Sequence, residues 1–490
     1  MHSHLLSWII FSPSLGALLI LLLPCRLLKA AKPIALLSTL SSFSFCFLAL
    51  RHFDTAAQGF QLIEKAVWIP QIAAYYHLGV DSLSFPMVFL SALLSLLACA
   101  ASWSIRDREK EYFAFFLLLE TGMMGTFLSL DLLLFYTFWE VVLIPMFFLI
   151  GIWGGTRKEK AAMKFFLYTL AGSLLMLLGI LMVYFAAAPH MLGLPELTSQ
   201  DSTPAFQKIA FLAFFFGFAV KVPIFPFHTW LPEAHVEAPT PISILLAGVL
   251  LKMGAYGFLR FSYPLFPAAA REFQPLMEIL AITGIIYGGL AALAQTDFKK
   301  MVAYSSVSHM GFVLLGLASL NADGFRGAVL QMFNHGLITA GLFLLVGVLY
   351  DRAHTRDMTS FGGVGVPMPV YAGFLIFFSM ASLGLPGLSG FIGEFLILLG
   401  NFHLHKGMAA AATLGILLAA GYFLIMIQRL LLGPLNEKWK SLPDISGREI
   451  GALLPLTALI LVIGIYPSWL VNFTAPSLDA LLKHLGVPLP

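Results

Sequence analysis

Four ionisable side chains lie inside long apolar stretches of this sequence. They are Glu140 in FYTFWEVVLIPMFFLIG, Lys221 in GFAVKVPIFPF, Lys252 in ILLAGVLLKMGAYGF and Glu394 in GFIGEFLILLG. A charge at the centre of a bilayer costs at least about 2.5–3.5 kcal/mol, so each of these residues is a functional candidate. Because carboxylates and amines bind and release protons, this set predicts a proton path through a membrane.

The two lysines are suited to passing a proton on. Lys221 comes just before Pro223, where freed carbonyls can bond an ammonium group. Burial weakens the hold of a lysine on its proton and a carboxylate partner strengthens it, so movement of that partner would load or release the proton. Lys252 has two glycines beside it that would allow close helix approach, and we interpret it as the central relay. The alternatives are a static buried ion pair for Lys221 and snorkelling to the interface for Lys252.

Three acids within apolar spans are candidates for the path. Glu140 lies near mid-depth of its span, and Glu120, in FAFFLLLETGMM of the preceding span, could exchange protons with it. For both, the alternative is a carboxylate that bonds a neighbouring helix. Glu394 is the only acid in its span and suits the terminal proton acceptor, with a charge at the outer aqueous rim as its alternative.

Histidines extend the set. His309 in SSVSHMGFV and His335 in QMFNHGLITAG are suited to shuttling protons near neutral pH, or else are structural histidines with satisfied hydrogen bonds. The residues that would supply a polar lining around them are Ser305, Ser306, Ser308 and Asn334.

The motif PFHTWLPEAHVEAPTP follows the first broken span and is rich in titratable groups, namely His228, Glu233, His235 and Glu237. At the inner end of that span they would form a proton entry. The spacing differs from HExxH, so we predict no metal here and interpret the motif, in the alternative, as a polar loop bonding the broken helix.

Apolar helices must position these residues. The chain of 490 residues is 59% hydrophobic and 11% charged, with a mean hydropathy of +0.89, which indicates a membrane protein. Runs long enough to cross about 30 Å of hydrocarbon, without strand-like alternation, predict an all-α polytopic fold of about fourteen spans. The runs are 4–24, 33–51, 82–104, 112–130, 132–153, 163–188, 207–230, 240–262, 275–295, 301–320, 327–350, 369–398, 408–433 and 450–472.

Loop charges predict the orientation. Eighteen of the 28 Lys and Arg residues fall in the loops after the odd-numbered spans 1, 3, 5, 9, 11 and 13, and eight fall on the other side. By the positive-inside rule both termini face outward. The two remaining cations are Lys221 and Lys252.

Helix breakers divide two spans at the middle, with Pro223 and Pro226 in the seventh and Pro386 and Gly387 in the twelfth. Discontinuous helices in corresponding positions are typical of inverted-repeat transporters. We therefore divide the chain into helices 1–3 (1–111), two five-helix repeats (112–262 and 263–433), and a last helix with its tail (434–490).

Several other functions are not indicated. The net charge of +3 is scattered over short loops, which gives no nucleic-acid surface, and no GxGxxG or GxxxxGK motif is present. Cys25, Cys46 and Cys99 stand singly, without CxxC spacing, and are predicted to be packing residues. The first apolar stretch lacks a basic n-region and an A-x-A-like site, so it is predicted to be a span and not a cleaved signal.

The stretches FYTFWEVVLIPMFFLIGIWGG, FAVKVPIFPFHTWLPEAHVEAPTP, DFKKMVAYSSVSHMGFV and FNHGLITAGLFLLVGVLYDR resemble the antiporter-like membrane subunits of respiratory complex I. The resemblance covers nearly the whole chain. It implies that Glu140 is the acid of the fifth helix, that Lys221 is its partner, and that Lys252 is the connecting lysine. His309 and His335 then match the central hydrophilic axis. Glu394 matches the branch of the family in which the broken twelfth helix carries glutamate where other branches carry lysine.

The resemblance also implies a setting. The chain would be a non-redox, proton-translocating subunit of an NADH:quinone oxidoreductase, without a cofactor of its own, while FMN, iron–sulfur clusters and quinone reside in partner subunits. Its partners would be other membrane subunits, including sister antiporter-like chains. The membrane would be the bacterial inner membrane, with periplasmic termini, or the equivalent membrane of an organelle.

Three rival functions remain open at this point. The chain could be a subunit of a multi-subunit Na⁺/H⁺ antiporter, part of a membrane-bound hydrogenase or formate-linked complex, or a passive scaffold whose buried charges only hold helices together. Sodium dependence would distinguish the first rival, the neighbouring genes the second, and normal pumping by Lys221→Ala or Glu140→Ala variants would favour the third.

Overall fold

The computed structural model describes residues 4–488, apart from the side chain of Cys25, and this part is dominated by helices. The longer helices are α1 Leu5–Leu22, α2 Ala31–Arg51, α3 Ser84–Ala101, α4 Glu109–Leu128, α5 Leu132–Trp153, α6 Lys158–Ala186, α7 Pro204–Lys221, α8 Trp230–Glu237, α9 Thr240–Leu265, α10 Gln274–Leu293, α11 Phe298–Ala318, α12 Ala322–Ala353, α13 Pro369–Ser382, α14 Ser389–Leu404, α15 Lys406–Leu431, α16 Gly447–Ile465 and α17 Ser468–His484. The strands are β1 Gln61–Ile69 and β2 Ala74–Val80.

Every predicted apolar run contains a helix, and only the runs 207–230 and 369–398 include a long non-helical break among the described residues. Twelve helices in the described residues are long and apolar enough to cross a membrane. Helix α4 matches the predicted run 112–130 but is not one of the twelve, and the run 369–398 is shared by the shorter apolar helices α13 and α14. The number of crossings and the division into two repeats stay predictions.

Both interrupted spans are broken where the sequence predicts. Helix α7 ends at Lys221, and α8 begins at Trp230 after a turn that contains Pro223 and Pro226. Helix α13 ends at Ser382 and α14 begins at Ser389. Two glycines in this second break, Gly384 and Gly387, have φ of +84° and +91°, a conformation that residues with a Cβ rarely adopt. The breaks therefore follow from local backbone chemistry.

One element goes beyond what the sequence indicates. Strands β1 and β2 form an antiparallel hairpin between α2 and α3, where Glu64 pairs with Leu78 and Val67 with Tyr75. The predicted all-α fold has no span between residues 51 and 82, so this hairpin was not expected. A two-stranded hairpin is marginal alone, so packing against the helices must stabilise it.

The most deeply buried helices are α9, α11 and α12. Glycines allow their close packing: a Cβ on Gly254 of α9 would lie 2.8 Å from the Phe218 carbonyl of α7, and one on Gly327 of α12 would lie 2.7 Å from the Ile397 nitrogen of α14. Such contacts set helix register in lipid. The helices that carry the predicted relay thus form the centre of the bundle.

Candidate functional site

Lys252 is bonded directly to a histidine of another helix. Its Nζ lies 2.7 Å from Nδ1 of His335 on α12 and donates to the Ala247 carbonyl at 2.5 Å. Ala247 belongs to a π-turn, Leu246–Leu250, within α9. Single π-turns inside α-helices are frequent at functional sites because they re-aim side chains and carbonyls. The wide turn here places a carbonyl beside the buried ammonium group.

The path continues from α12 to α11 and then to α14. The ring centroids of His335 and His309 are 5.7 Å apart, and His309 Nδ1 lies 2.8 Å from Oε1 of Glu394. The side chains of Lys252, His335, His309 and Glu394 are all buried. Nε2 of His335 has no hydrogen-bond partner among the described residues. Four residues predicted from separate apolar spans are thus brought into one line.

Three polar residues that the sequence patterns did not indicate complete this end of the line. Gln331 donates to Glu394 Oε1 at 3.0 Å, while the hydroxyls of Ser382 and Tyr422 lie 3.2 and 3.3 Å from His309 Nε2. Gln331 precedes His335 by four residues on one helix face, a spacing that would have indicated it. The other two lie on α13 and α15, and no local pattern connects them with His309.

Glu140 and Lys221 interact without forming a close pair. Lys221 Nζ lies 5.2 Å from the ring centroid of Trp139 and 5.8 Å from that of Phe165, and the charge of Glu140 acts on it. The ion pairs within 4 Å in residues 4–488 do not include these two residues. Glu140 is partly exposed on the surface of the bundle, although its Oε1 is buried without a partner in that range. Aromatic faces and a nearby carboxylate therefore hold the ammonium loosely.

Glu120 lies on the side of α4 that faces away from α5, the helix of Glu140. Glycines 122 and 125 of α4 face α5, since a Cβ on either would touch Val142 or Phe138. Glu120 is two residues from Gly122, about 200° around the helix, and its charge acts on the thiols of Cys46 and Cys99 on α2 and α3. Both carboxylate oxygens are buried without a hydrogen-bond partner among the described residues. This arrangement gives no support to proton exchange between Glu120 and Glu140, which stays a prediction.

The two histidines of the HTWLPEAH motif occupy different places. Both are buried. The ring of His235 stacks on Phe343 at 4.6 Å, while that of His228 packs against Phe225 and against Tyr287 of α10. Among the described residues no three His, Cys, Asp or Glu side chains are grouped to hold a metal. The acids of the motif form ion pairs: Glu233 with Lys164 at 2.7 Å and Glu237 with Arg157 at 3.8 Å.

A further lysine, counted as a loop cation from sequence, is buried at the inner end of α11. Lys299 Nζ donates to the Ala238 carbonyl at 2.5 Å, and its charge acts on His235, as does that of Lys252. Lys299 and Glu237 line a cavity of about 310 Å³ that opens toward the cation-rich side. Lys299 and His235 thus lie between this cavity and the central lysine.

The opposite end of α9 is closed by a buried ion pair. Arg260 donates from Nη2 to Asp81 Oδ1 at 2.5 Å and from Nε to the Tyr256 hydroxyl at 2.9 Å. Asp81, in the loop before α3, is disfavoured as an anion by its burial, but Arg260 and hydrogen bonds with Ser84 and Ser477 hold the pKa of its carboxyl below the usual value. The pair is charged at neutral pH.

Comparison with known proteins identifies the family of this chain. A family model described as NADH:quinone oxidoreductase/Mrp antiporter, TM, matches residues 129–427. NADH-quinone oxidoreductase subunit M of Rhodobacter capsulatus is 46% identical over 474 residues, covering 94% of this chain and 92% of that protein. NADH-ubiquinone oxidoreductase chain 4 of Chondrus crispus is 44% identical over 479 residues, covering 96% of this chain and 97% of its own length.

Among solved structures, a chain of the respiratory complex I from Thermus thermophilus with bound NADH matches with a TM-score of 0.90 at 32% identity. The match covers 99% of this chain and 100% of that chain. The resemblance inferred from the sequence motifs is therefore confirmed. The chain belongs to the NADH:quinone oxidoreductase/Mrp antiporter transmembrane family, as a multi-pass membrane subunit of the complex I type.

Proposed function

We propose that this chain carries protons across an energy-transducing membrane, driven by redox chemistry in partner subunits of an NADH:quinone oxidoreductase. The observation that carries the proposal is the buried line Lys252–His335–His309–Glu394, whose first and last links are 2.7 and 2.8 Å long. Structural ion pairs do not need two histidines between an amine and an acid. A line of titratable groups is what stepwise proton transfer requires.

The geometry of the first link allows one positive charge at a time. When the Lys252 ammonium donates to Nδ1 of His335, that imidazole nitrogen must be an acceptor and the ring must be neutral. Two positive charges 2.7 Å apart repel strongly at low dielectric. A proton therefore moves as a single charge, in this proposal from Lys252 to His335, then to His309, and finally to the Glu394 carboxylate.

Protons enter from the cation-rich inner side in this proposal. The cavity beside Glu237 and Lys299 supplies them, and His235 lies where the charges of Lys299 and Lys252 are both felt. The two ring nitrogens of His235 lack partners within the described residues, so they are available to water. His235 then connects the entrance with the central lysine.

Glu140 and Lys221 act as the control element. Glu140 is partly exposed on the bundle surface, where a neighbouring membrane subunit, including a sister antiporter-like chain, can alter its charge or position. Because Lys221 is held by that charge and by aromatic faces, a change at Glu140 alters the hold of Lys221 on its proton. The energy comes from redox groups in the partner subunits, namely FMN, iron–sulfur clusters and quinone.

The proposal favours a respiratory complex over the rival antiporter, because the relatives from Rhodobacter capsulatus and Chondrus crispus carry NADH-quinone or NADH-ubiquinone oxidoreductase names. The excess of cations in one set of loops supports outward termini, which are periplasmic in a bacterial inner membrane. A pumping rate that does not depend on sodium would exclude the antiporter.

The direct test is proton pumping by the assembled complex in sealed vesicles. Lys221→Ala and Glu140→Ala are expected to abolish NADH-driven proton uptake while the complex stays assembled. Lys208→Ala is the matched control, since Lys208 lies at the exposed end of the same helix and pairs with Glu272 at 2.7 Å. Normal pumping by Lys221→Ala would favour the passive scaffold.

A further inference from the structure

The relay needs an outlet on the outer side. Among the helices that run toward that side, α7, α9 and α14 carry Lys221, Lys252 and Glu394. The first is α7, which leads outward from Lys221. Four buried phenylalanines fill this direction, at positions 211, 214, 215 and 218. Aromatic rings packed against one another neither hold protons nor leave room for water, so this direction is closed.

The second direction follows α9 outward from Lys252 through Tyr256 to Arg260. The guanidinium of Arg260 is buried and permanently charged, and its bonds to Asp81 and Tyr256 fix it in place. A fixed positive charge in a narrow passage excludes protons. This end of α9 therefore acts as a barrier and not as an outlet.

The third direction follows α14 outward from Glu394 and is polar. Asn401 lies seven residues after Glu394, two helical turns along and on the same face, about 10 Å away. Its side-chain nitrogen donates to Oε1 of Glu278 on α10 at 3.0 Å. The other carboxylate oxygen of Glu278 lies 2.9 Å from Nδ1 of His405, at the end of α14.

These residues pass from the interior to the surface over a short distance. The side chain of Glu278 is 1% exposed, whereas that of His405 is 50% exposed. The amide of Gln331, which bonds Glu394, and the amide of Asn401, which bonds Glu278, each have an oxygen that is buried without a hydrogen-bond partner among the described residues. Buried acceptors without a protein partner are where ordered water binds. Water at these two oxygens would bridge the gap along α14.

We propose that Glu278 and His405 form the proton-release group of this chain, a role that rests on the proposed function. The proton on the Glu394 carboxyl passes through bound water to the Glu278 carboxylate, which leaves Glu394 ionised and ready for the next proton. Glu278 then transfers it to the His405 imidazole, and the imidazolium releases it to the outer aqueous phase. One proton moves at each step, and no other reactant is needed.

The test uses the assembled complex in vesicles with variants Glu278→Gln and His405→Gln. Both are expected to slow proton release by on the order of 10²-fold, the usual contribution of a positioned acid–base group, with the complex still assembled. His403→Gln is the matched control, because His403 lies in the last turn of the same helix and is exposed. It is expected to pump like the parent.

The His405→Lys variant distinguishes a structural role of Glu278 and His405 from a role in proton release. This variant keeps a cation beside Glu278 but removes the imidazole, whose two ring nitrogens can accept and release a proton, so it is expected to assemble normally and to pump as slowly as His405→Gln. Pumping restored to the parent rate by lysine would overturn the release role, as would parent-like pumping by Glu278→Gln. Should Glu278→Gln fail to assemble, the two variants of exposed His405 decide the question.

The inference and the proposed function fail in different ways. If Lys252→Met stops pumping while Glu278→Gln and His405→Gln pump normally, the relay stands and the outlet lies elsewhere. If Lys252→Met pumps normally, the relay itself is wrong whatever the outer variants do.

Discussion

Replacing Lys252 tests the central link most sharply, because its bond to His335 can be removed at little cost in stability. Lys252→Met keeps the length and the apolar stem of the side chain while it removes the ammonium. Two hydrogen bonds are lost, to Ala247 and His335, each worth about 1.5–3 kcal/mol when the donor is charged. The desolvation of a buried ammonium, several kcal/mol, is removed at the same time. The two effects nearly cancel, so assembly is expected to survive.

The rate of proton pumping by Lys252→Met, in contrast, should fall strongly. Without the amine, the step from His235 to His335 loses its proton carrier, and loss of a positioned proton carrier costs about 10²–10⁴-fold in rate. Proton uptake by vesicles during NADH oxidation, followed with a pH-sensitive dye, is expected to fall to the level of the uncoupled control. Lys252→Arg should fail equally, since an arginine keeps the charge but does not release its proton.

Lys208→Met serves as the control for both variants, because it removes an exposed lysine from a neighbouring helix. Parent-like pumping by Lys252→Arg would show that only the charge at this position matters. That result would refute the relay and support a scaffold of buried charges.

Three further predictions concern other parts of the chain. Glu394→Gln is expected to stop proton transfer from His309 while the bundle stays intact, because the amide still accepts the 2.8 Å hydrogen bond, and vesicle pumping checks this. Asp81→Asn is expected to destabilise the complex by about 3–5 kcal/mol by leaving Arg260 buried and unpaired, measured as a lower thermal midpoint. The pKa of Asp81 is lowered in the folded protein, so the stabilisation from this ion pair is complete above the ordinary carboxyl pKa of about 3.9. It is lost as pH falls through the lower pKa of the folded state. The parent should lose this stabilisation at low pH, whereas Asp81→Asn, which lacks the carboxyl, should not. Gly327→Val is expected to impair assembly, shown by native electrophoresis, since its Cβ would lie 2.7 Å from the backbone of α14.

Much of the candidate site could be predicted because the free-energy costs that mark its residues depend on the local sequence alone. A charge in hydrocarbon is costly wherever it stands, so Glu140, Lys221, Lys252 and Glu394 were recognisable from their own apolar neighbours. The broken helices were recognisable for the same reason, since proline removes a backbone donor regardless of the fold.

The partners of these residues were not open to prediction. Gln331, Ser382 and Tyr422 meet at His309 and Glu394 from three helices, and Glu278 meets His405 from 127 residues away. The facing of Glu120 toward α2 and α3, and not toward Glu140, likewise follows from which side of α4 carries glycines. In an apolar span almost every face is hydrophobic, so periodicity does not show which face meets which helix.

The sequence by itself thus determined that this is a helical membrane protein, where two of its spans break, and which buried residues are candidates to carry protons. These follow from free energies that each segment bears alone in lipid. Only the tertiary structure decided that Lys252, His335, His309 and Glu394 form one line, and that Lys299 lies between the inner cavity and its start. The physical reason is that helix register in lipid is set by close contacts between small residues, such as Gly254 on Phe218 and Gly327 on α14, and those contacts exist only after the helices have packed.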